Sequence, residues 1–320
     1  MQKINRKILI TGGAGYIGQN LVNFFLKKKN QIYVIDNLST STSIKDKIKK
    51  EINFYKIDLT KEEQVKKFFK NKNFDLIIHL AAFSGVQEFN KNVIKSFNNN
   101  ILSTKNLVRF AFEKAKTKLI FSSSAAVYGR VSRTKITEFR SKKPVNYYGL
   151  SKLVCENIIE KSLKNKKNNY AILRYFNVVG SITNFKIKKK INALFDVIAN
   201  NIKNKKYTIN INGRNFNTKD GTPERDFIHL SDLCEIHERA YKYLNNNKKI
   251  ILNCGSGKRH SVLSIIREFE KKKNKKFTIS YKITNYNETK TICSDISLLR
   301  NLFKISIQKK KLSDLVNDYL

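Results

Sequence analysis

Ile8-Leu9-Ile10-Thr11-Gly12-Gly13-Ala14-Gly15-Tyr16-Ile17-Gly18 is the stretch on which the fold turns. An apolar run of strand character leads into glycines at 12, 15 and 18, and then into an amphipathic segment, Ile17 to Leu26. Such glycines permit a tight turn, close approach of backbone to a pyrophosphate, and close packing of helix on strand; the helix N-terminus then faces the phosphates. A glycine triplet alone is weak evidence, since a turn without a ligand uses the same residues. The next apolar run, however, ends Val34-Ile35-Asp36, 18 residues past Gly18. An acid there accepts both ribose hydroxyls of an adenosine and repels a 2′-phosphate, which favours NAD over NADP.

Outward from this opening, short apolar runs alternate with helical stretches, the βαβ signature of a parallel sheet covered on both faces. The expected strands are Lys7 to Thr11, Gln31 to Ile35, Phe54 to Ile57, Leu76 to Leu80, Leu119 to Phe121 and Ala171 to Arg174. Amphipathic pieces lie between them, among them Val65 to Phe69 and Leu102 to Ala115; in the latter Leu107, Val108, Ala111, Phe112 and Ala115 form one helical face. Six strands separated by helices predict an α/β, doubly wound, Rossmann-like parallel sheet. After about Asn177 the rhythm changes to polar stretches and isolated helices, Ile191 to Ile202 and Ser261 to Lys271. The expected organisation is therefore an NAD-binding domain over residues 1–176 and a smaller C-terminal substrate domain over 177–320. A segment near 225–245 is expected to return to the first domain, and the halves to share a cleft.

The 320 residues are enough for about two domains. Hydrophobic residues at 41% and aromatics at 11% exclude a disordered chain. No apolar run nears the ~20 residues of a membrane-spanning helix, and the start offers no room for a secretory or transit signal. Cys155, Cys234, Cys254 and Cys293 lie far apart without a C-x-x-C pair. They read as reduced thiols of a cytoplasmic protein, not as a zinc site. Lys and Arg number 64 against 25 Asp and Glu, for a net charge of +39. That charge is the footprint of a nucleic-acid binder. The lysines nevertheless come as short clusters along the whole chain, such as Lys27 to Lys29 and Lys271 to Lys273, with no Arg-rich arm or RNA-reading aromatic pattern. A solvated basic surface is the favoured reading.

A second constellation carries chemistry: Phe121-Ser122-Ser123-Ser124 at a strand end, and later Tyr147-Tyr148-Gly149-Leu150-Ser151-Lys152. Tyr148 and Lys152, four apart, share one helix face. A phenol of pKa near ~10 is a poor base at neutral pH. An adjacent ammonium and an oxidised nicotinamide favour the phenolate and bring it towards the working range, while a serine hydroxyl relays the proton. Alone, Y-x-x-x-K is common by chance; after a dinucleotide fingerprint and a strand-end serine run it reads as catalytic.

These residues are similar to those of the extended short-chain dehydrogenases/reductases, and within them of the UDP-glucose 4-epimerases, over nearly the whole chain. The resemblance runs through the T-G-G-x-G-Y-I-G opening, Asp36-Asn37-Leu38, Asp58-Leu59, His79-Leu80-Ala81-Ala82, Ser122 to Gly129, Tyr148/Lys152 and Arg174-Tyr175-Phe176-Asn177. Its most specific piece is Thr218-Lys219-Asp220-Gly221-Thr222-Pro223-Glu224-Arg225-Asp226-Phe227-Ile228-His229. The resemblance implies NAD held by Gly12, Gly15, Tyr16, Ile17, Gly18, Asp36, Asn37, Asp58, Leu59, Ala81, Ala82, Asn99, Tyr148, Lys152 and Phe176. It implies a UDP-sugar contacted by Ser124, Asn177, Asn192 and Arg225, with Arg225 on the diphosphate, and no metal. It also implies a homodimer.

Related 4,6-dehydratases carry an Asp-Glu pair where this chain has Ala125-Ala126, and decarboxylases want a Glu at Ala126. Alanines move no protons, so reversible oxidation at C4 is the expected chemistry. Departures from the epimerase pattern fall at Ser84, where the family usually has Lys or another polar residue, at Asn212 before Gly213, and at Asn285-Tyr286-Asn287-Glu288. They leave open a 4-epimerase of another nucleotide sugar (UDP-glucuronate or UDP-N-acetylglucosamine), while the charge of +39 leaves open a non-catalytic Rossmann-type protein binding RNA or another polyanion. His79 reads as a packed residue rather than a base, and His229, His237 and His260 lack metal-ligand spacing.

Overall fold

A computed structural model describes all residues except 1–4, 42, 43, 45, 85–88, 113–116, 132–134, 165–167, 183–192, 283–290 and 305–309. Seven strands form the main sheet: β1 (Lys7–Thr11), β2 (Gln31–Asp36), β3 (Asn53–Lys56), β4 (Leu76–His79), β5 (Lys118–Ser124), β6 (Tyr170–Tyr175) and β7 (Lys249–Cys254). Their spatial order is β7-β6-β5-β4-β1-β2-β3. The ladders joining β1 to β2, β2 to β3, β1 to β4 and β4 to β5 are all parallel. The order reverses between β1 and β4, so a crevice opens beyond their carboxyl ends, where doubly wound sheets bind ligands.

Apolar character on both faces suits the interior strands of this sheet. All four residues of β4 and all six of β6 are buried. Helices α1 (Tyr16–Lys27) and α2 (Glu62–Phe69) cover the sheet through Leu21, Val22 and Phe25, and through Val65, Phe68 and Phe69. Helix α3 (Val93–Ala111) starts nine residues before the expected Leu102, because the Asn92 side chain caps it by accepting from the Lys95 N–H. The seventh strand, β7, is absent from the six-strand expectation; it comes from far along the chain.

Contacts divide the chain into two compact units. The first comprises Met1–Gly129, Ser141–Arg174 and Cys234–Leu252; the second comprises Arg130–Arg140, Tyr175–Leu233 and Asn253–Leu320. In the second, Asn177–Val179 pairs in parallel with Phe227–His229, and Glu224–Arg225 lies between His260–Ser261 and Thr291–Ile292. Its core gathers Phe195, Ile198, Phe227, Ile265, Phe269 and Val316, with Phe195 edge-on to both Phe227 and Phe269. Leu194–Lys203 and Val262–Lys273 are its two longer helices among the described residues, close to the expected pair.

Candidate active site

Beyond Thr11 the chain turns through Gly12, whose φ of +71° lies in the left-handed region. A Cβ there would also stand 2.7 Å from the Ala81 amide nitrogen. The turn and the close approach of the segment after β4 both require glycine. Gly12 N–H donates to Ile35 O at 2.8 Å and Gly15 N–H to Gly12 O at 3.1 Å. Helix α1 begins next, with Gly15 as an N-cap that has no side chain to offer. A helix N-terminus in this position suits an anion through its amides and its dipole.

Asp36 ends β2 and clamps this turn. Its Oδ2 accepts the Ala14 N–H at 3.0 Å, and its Oδ1 accepts the Leu38 N–H at 2.8 Å and the Ser41 hydroxyl at 3.4 Å. Burial pushes its pKa up and these donors pull it back. Asn37 accepts from the Ser39 N–H, and Asp58 Oδ1 accepts from both Thr60 N–H and hydroxyl, at 2.9 and 2.7 Å. Leu59 is buried, while Tyr16, Ile17, Ala81, Ala82 and Asn99 are half-buried. Beside Asn99, Asn100 was not singled out from sequence. Its amide accepts from Phe83 N–H at 2.8 Å and donates to Phe83 O and Ser151 Oγ, so it stitches the segment after β4 to the next constellation.

Strand β5 ends in the serine run. Ser124 Oγ accepts the Ala126 N–H at 3.2 Å, capping a 3-10 turn over Ala125–Tyr128. It also hydrogen-bonds the Tyr148 side chain. Helix α4 (Tyr147–Leu163) is capped by Asn146, whose Oδ1 accepts the Gly149 N–H at 2.8 Å. One turn beyond Tyr148, Lys152 is 2% exposed and donates Nζ to Ser122 O at 2.8 Å. Burial pushes Lys152 down to about 8, against the opposing pull of Cys155 and Glu156. Burial pushes the Tyr148 phenol up, and the Ser124 bond opposes it. The Phe89 ring meets Tyr148 edge-on at 5.9 Å. Ser124, Tyr148 and Lys152 are thus brought together.

His79 is the packed residue expected from sequence, bonded through Nδ1 to Thr11 Oγ1 at 2.7 Å and through Nε2 to Thr104 Oγ1 at 3.1 Å. Burial, then Lys152, drive its pKa down to about 3, so it stays neutral. The four cysteines are free and buried, and burial raises the pKa of each. Among the described residues no group of three or more His, Cys, Asp or Glu is placed to hold a metal, and no helix is long and apolar enough to cross a membrane.

Phe176, Asn177 and Arg225 belong to the second unit. Phe176 is buried and donates its N–H to Cys254 O. Asn177 donates both its N–H and its side-chain amide to Asp226 O, at 3.1 and 3.0 Å. Arg225 is half-buried, with Nη1 on Glu224 O at 3.0 Å. Asp226, fully buried, takes five donors: Ser256 N–H and hydroxyl, Gly257 N–H, and Ser294 N–H and hydroxyl. It fixes the strand that carries Arg225. Of the departures, Ser84 is exposed and Asn212 ends a strand opposite Lys282. Asn192 and residues 285–288 lie outside the described residues.

A doubly wound sheet with a glycine turn at its switch point, and a serine, tyrosine and lysine gathered at a neighbouring strand end, defines a dinucleotide-dependent α/β protein of short-chain dehydrogenase type. The profile of the NAD dependent epimerase/dehydratase family matches residues 8–255. The chain belongs to that family. It is 34% identical over 297 residues to the UDP-glucose 4-epimerase of Dictyostelium discoideum, covering 89% of this chain and 86% of that protein. Among solved structures it is similar to the UDP-glucose-4-epimerase of Stenotrophomonas maltophila with bound NAD and formylated UDP-arabinopyranose, with TM-score 0.90, 27% identity and coverage of 98% and 96%. It is similar also to the UDP-Glc/GlcNAc 4-epimerase of Campylobacter jejuni, with TM-score 0.85, 33% identity and 98% of each chain.

Proposed function

We propose that this chain is an NAD-dependent epimerase that inverts C4 of a UDP-hexose, interconverting UDP-glucose and UDP-galactose through a transient 4-keto sugar. The observation that carries it is the meeting of Ser124, Tyr148 and Lys152 at the end of β5, one strand from the β1/β4 switch point. The glycine turn fits NAD: it is a cradle that a Cβ at Gly12 would fill, at the start of helix α1 and beside a carboxylate, Asp36, at the end of β2. NAD, when bound, accepts hydride from C4 and returns it to the opposite face.

Tyr148 takes the proton of the sugar's 4-hydroxyl and later gives it back, with Ser124 sharing it. Lys152, charged below about pH 8, supports the phenolate by its ammonium. Ala125 and Ala126 hold no group that moves protons, so the keto sugar is not carried on to elimination or decarboxylation. The first unit holds the dinucleotide. In the second, Asn177, Asn192 and Arg225 are assigned to the nucleotide sugar, the guanidinium suiting a diphosphate through paired donors.

The chain is assigned as a cytoplasmic homodimer whose basic surface is solvated and carries no nucleic acid. Exposed Ile94, Leu102 and Leu150 on helices α3 and α4 support the dimer.

The test is a panel of nucleotide sugars incubated with the purified protein, without added NAD, and read by chromatography. Conversion of UDP-galactose to UDP-glucose is the expected result. Product from UDP-N-acetylglucosamine or UDP-glucuronate alone would move the assignment to that sugar, and a dehydrated or decarboxylated product would overturn it. Tyr148→Phe is expected to cut turnover by at least ~10²-fold while NAD stays bound.

A further inference from the structure

Three consecutive serines end β5, and each is engaged by a different residue of one face of α4. Ser124 bonds Tyr148, Ser122 O accepts from Lys152 Nζ at 2.8 Å, and Ser123 Oγ donates to Glu156 Oε1 at 2.5 Å. Positions 148, 152 and 156 are successive i, i+4 steps, so they stack along the helix. Strand end and helix are therefore joined by three rungs, and the proposed catalytic pair occupies the first two.

The third rung is itself anchored. Arg174 of β6 donates Nε to Glu156 Oε1 at 2.9 Å and Nη2 to Oε2 at 2.8 Å, a forked pair. Its Nη1 donates to Tyr128 OH at 2.8 Å. Tyr128 closes the 3-10 turn that Ser124 caps. The contacts thus form a ring: Ser124, the 3-10 turn, Tyr128, Arg174, Glu156, helix α4, Tyr148 and back to Ser124. Ser123, Tyr128, Glu156 and Arg174 are each at most 1% exposed. A buried ion pair is poor evidence for stability, because apolar replacements of like volume often do as well. Its placement under the serine run is what calls for another role.

We propose that Glu156, held by Arg174 and Ser123, is a positioning residue for Tyr148: the ring of contacts fixes the Ser124–Tyr148 hydrogen bond and keeps a carboxylate one helical turn beyond Lys152. This rests on the epimerase reading, in which Tyr148 is the proton acceptor. The electrostatics agree. Glu156 favours the charged form of Lys152 against burial. The other charged or titratable groups here are Tyr148, Cys155, His79, Tyr128, Arg174 and Lys142, the last with Nζ 3.8 Å from Glu156.

The test uses Ser123→Ala, Ser123→Thr and Glu156→Gln in the NAD-bound protein. Two readouts are taken: the steady-state constants with UDP-galactose, and the pH midpoint of the Tyr148 phenolate from ultraviolet difference spectra against the matching Tyr148→Phe protein. Ser123→Ala is expected to lower kcat about 10- to 100-fold, as a slight misplacement does, with KM changed less than about twofold. Its phenolate midpoint is expected to rise by about half a unit or more, since a loosened Ser124 bond supports the anion less. Ser123→Thr restores both. Glu156→Gln is expected to shift the alkaline fall of kcat to lower pH; if it does not fold, Ser123→Ala decides. A Ser123→Ala protein whose phenolate titrates where the wild type's does overturns the proposal, whatever its turnover. A wild type that epimerises no UDP-sugar instead overturns the epimerase reading, and the midpoint still decides the positioning role.

Discussion

His79 shows how one buried side chain sets a pH limit on the molecule. Its pKa falls from the ordinary 6.5 to about 3, through burial and then Lys152. The unfolded chain binds a proton below 6.5 that the folded chain refuses until about 3. Stability contributed by this residue is therefore full above 6.5 and is lost as pH falls through that window. At pH 5 the loss amounts to about 2 kcal/mol at 1.36 kcal/mol per unit. Guanidinium unfolding at pH 7.5 and pH 5 checks this: wild type is expected to lose stability in acid, and His79→Gln to show a slope shallower by about that amount. The two hydroxyls on either side of the imidazole, Thr11 and Thr104, engage both ring nitrogens, and sequence already placed His79 as a packed residue. Strand-end position and apolar neighbours carried that signal. Tyr148 and Lys152 were legible for a similar reason, since a spacing of four on a helix is visible in the chain. Glu156, Asn100 and Asp226 were not. A Glu four residues after a Lys reads as a surface ion pair, and only the fold shows that it is buried on Arg174.

At the scale of the element, the close approach of α4 to the turn after β5 decides a prediction with two opposing terms. Alanine in place of a helical glycine ordinarily gains about 1 kcal/mol. At Gly149, however, a Cβ would stand 2.9 Å from the Ala126 carbonyl carbon and closer still to its oxygen. Backbone cannot move aside as a flexible side chain does, so overpacking of about 1–3 kcal/mol wins. Gly149→Ala is expected to lower the urea midpoint and, by pushing Tyr148 away from Ser124, to reduce kcat while NAD stays bound. A higher midpoint would show that the helix seats looser than its contacts imply. The elements themselves were largely readable, because apolar runs between helices announce a parallel sheet. Strand β7 was missed for a physical reason: Lys249 opens it, an Asn-Lys stretch precedes it, and its partner β6 lies far back along the chain. Pairing at that range leaves no local pattern.

For the whole molecule, the charge of +39 and the exposed apolar residues of α3 and α4 pull in opposite directions, and salt separates them. Ile94 is 76% exposed and Leu102 40% on α3, with Leu150 38% on α4. Two copies meeting through these helices would bury that surface, each buried CH₂ contributing about 0.8 kcal/mol. They would also bring like-charged bodies together. The repulsion is screened over about 10 Å at 0.1 M salt, whereas the hydrophobic term is not weakened. Dimerisation is therefore expected to tighten as salt rises. Binding of RNA through the same charge would do the reverse, its affinity falling steeply as counterion release loses its drive. Sedimentation from about 0.05 to 0.5 M salt, with and without a generic RNA, tests both at once. Rising dimer fraction in salt, abolished in Ile94→Glu/Leu102→Glu, is the outcome that fits a solvated basic surface on a dimeric enzyme. A particle that stays monomeric at every salt concentration, yet holds RNA at low salt, would mean that the lysines serve a polyanion and that the apolar face of α3 and α4 joins nothing.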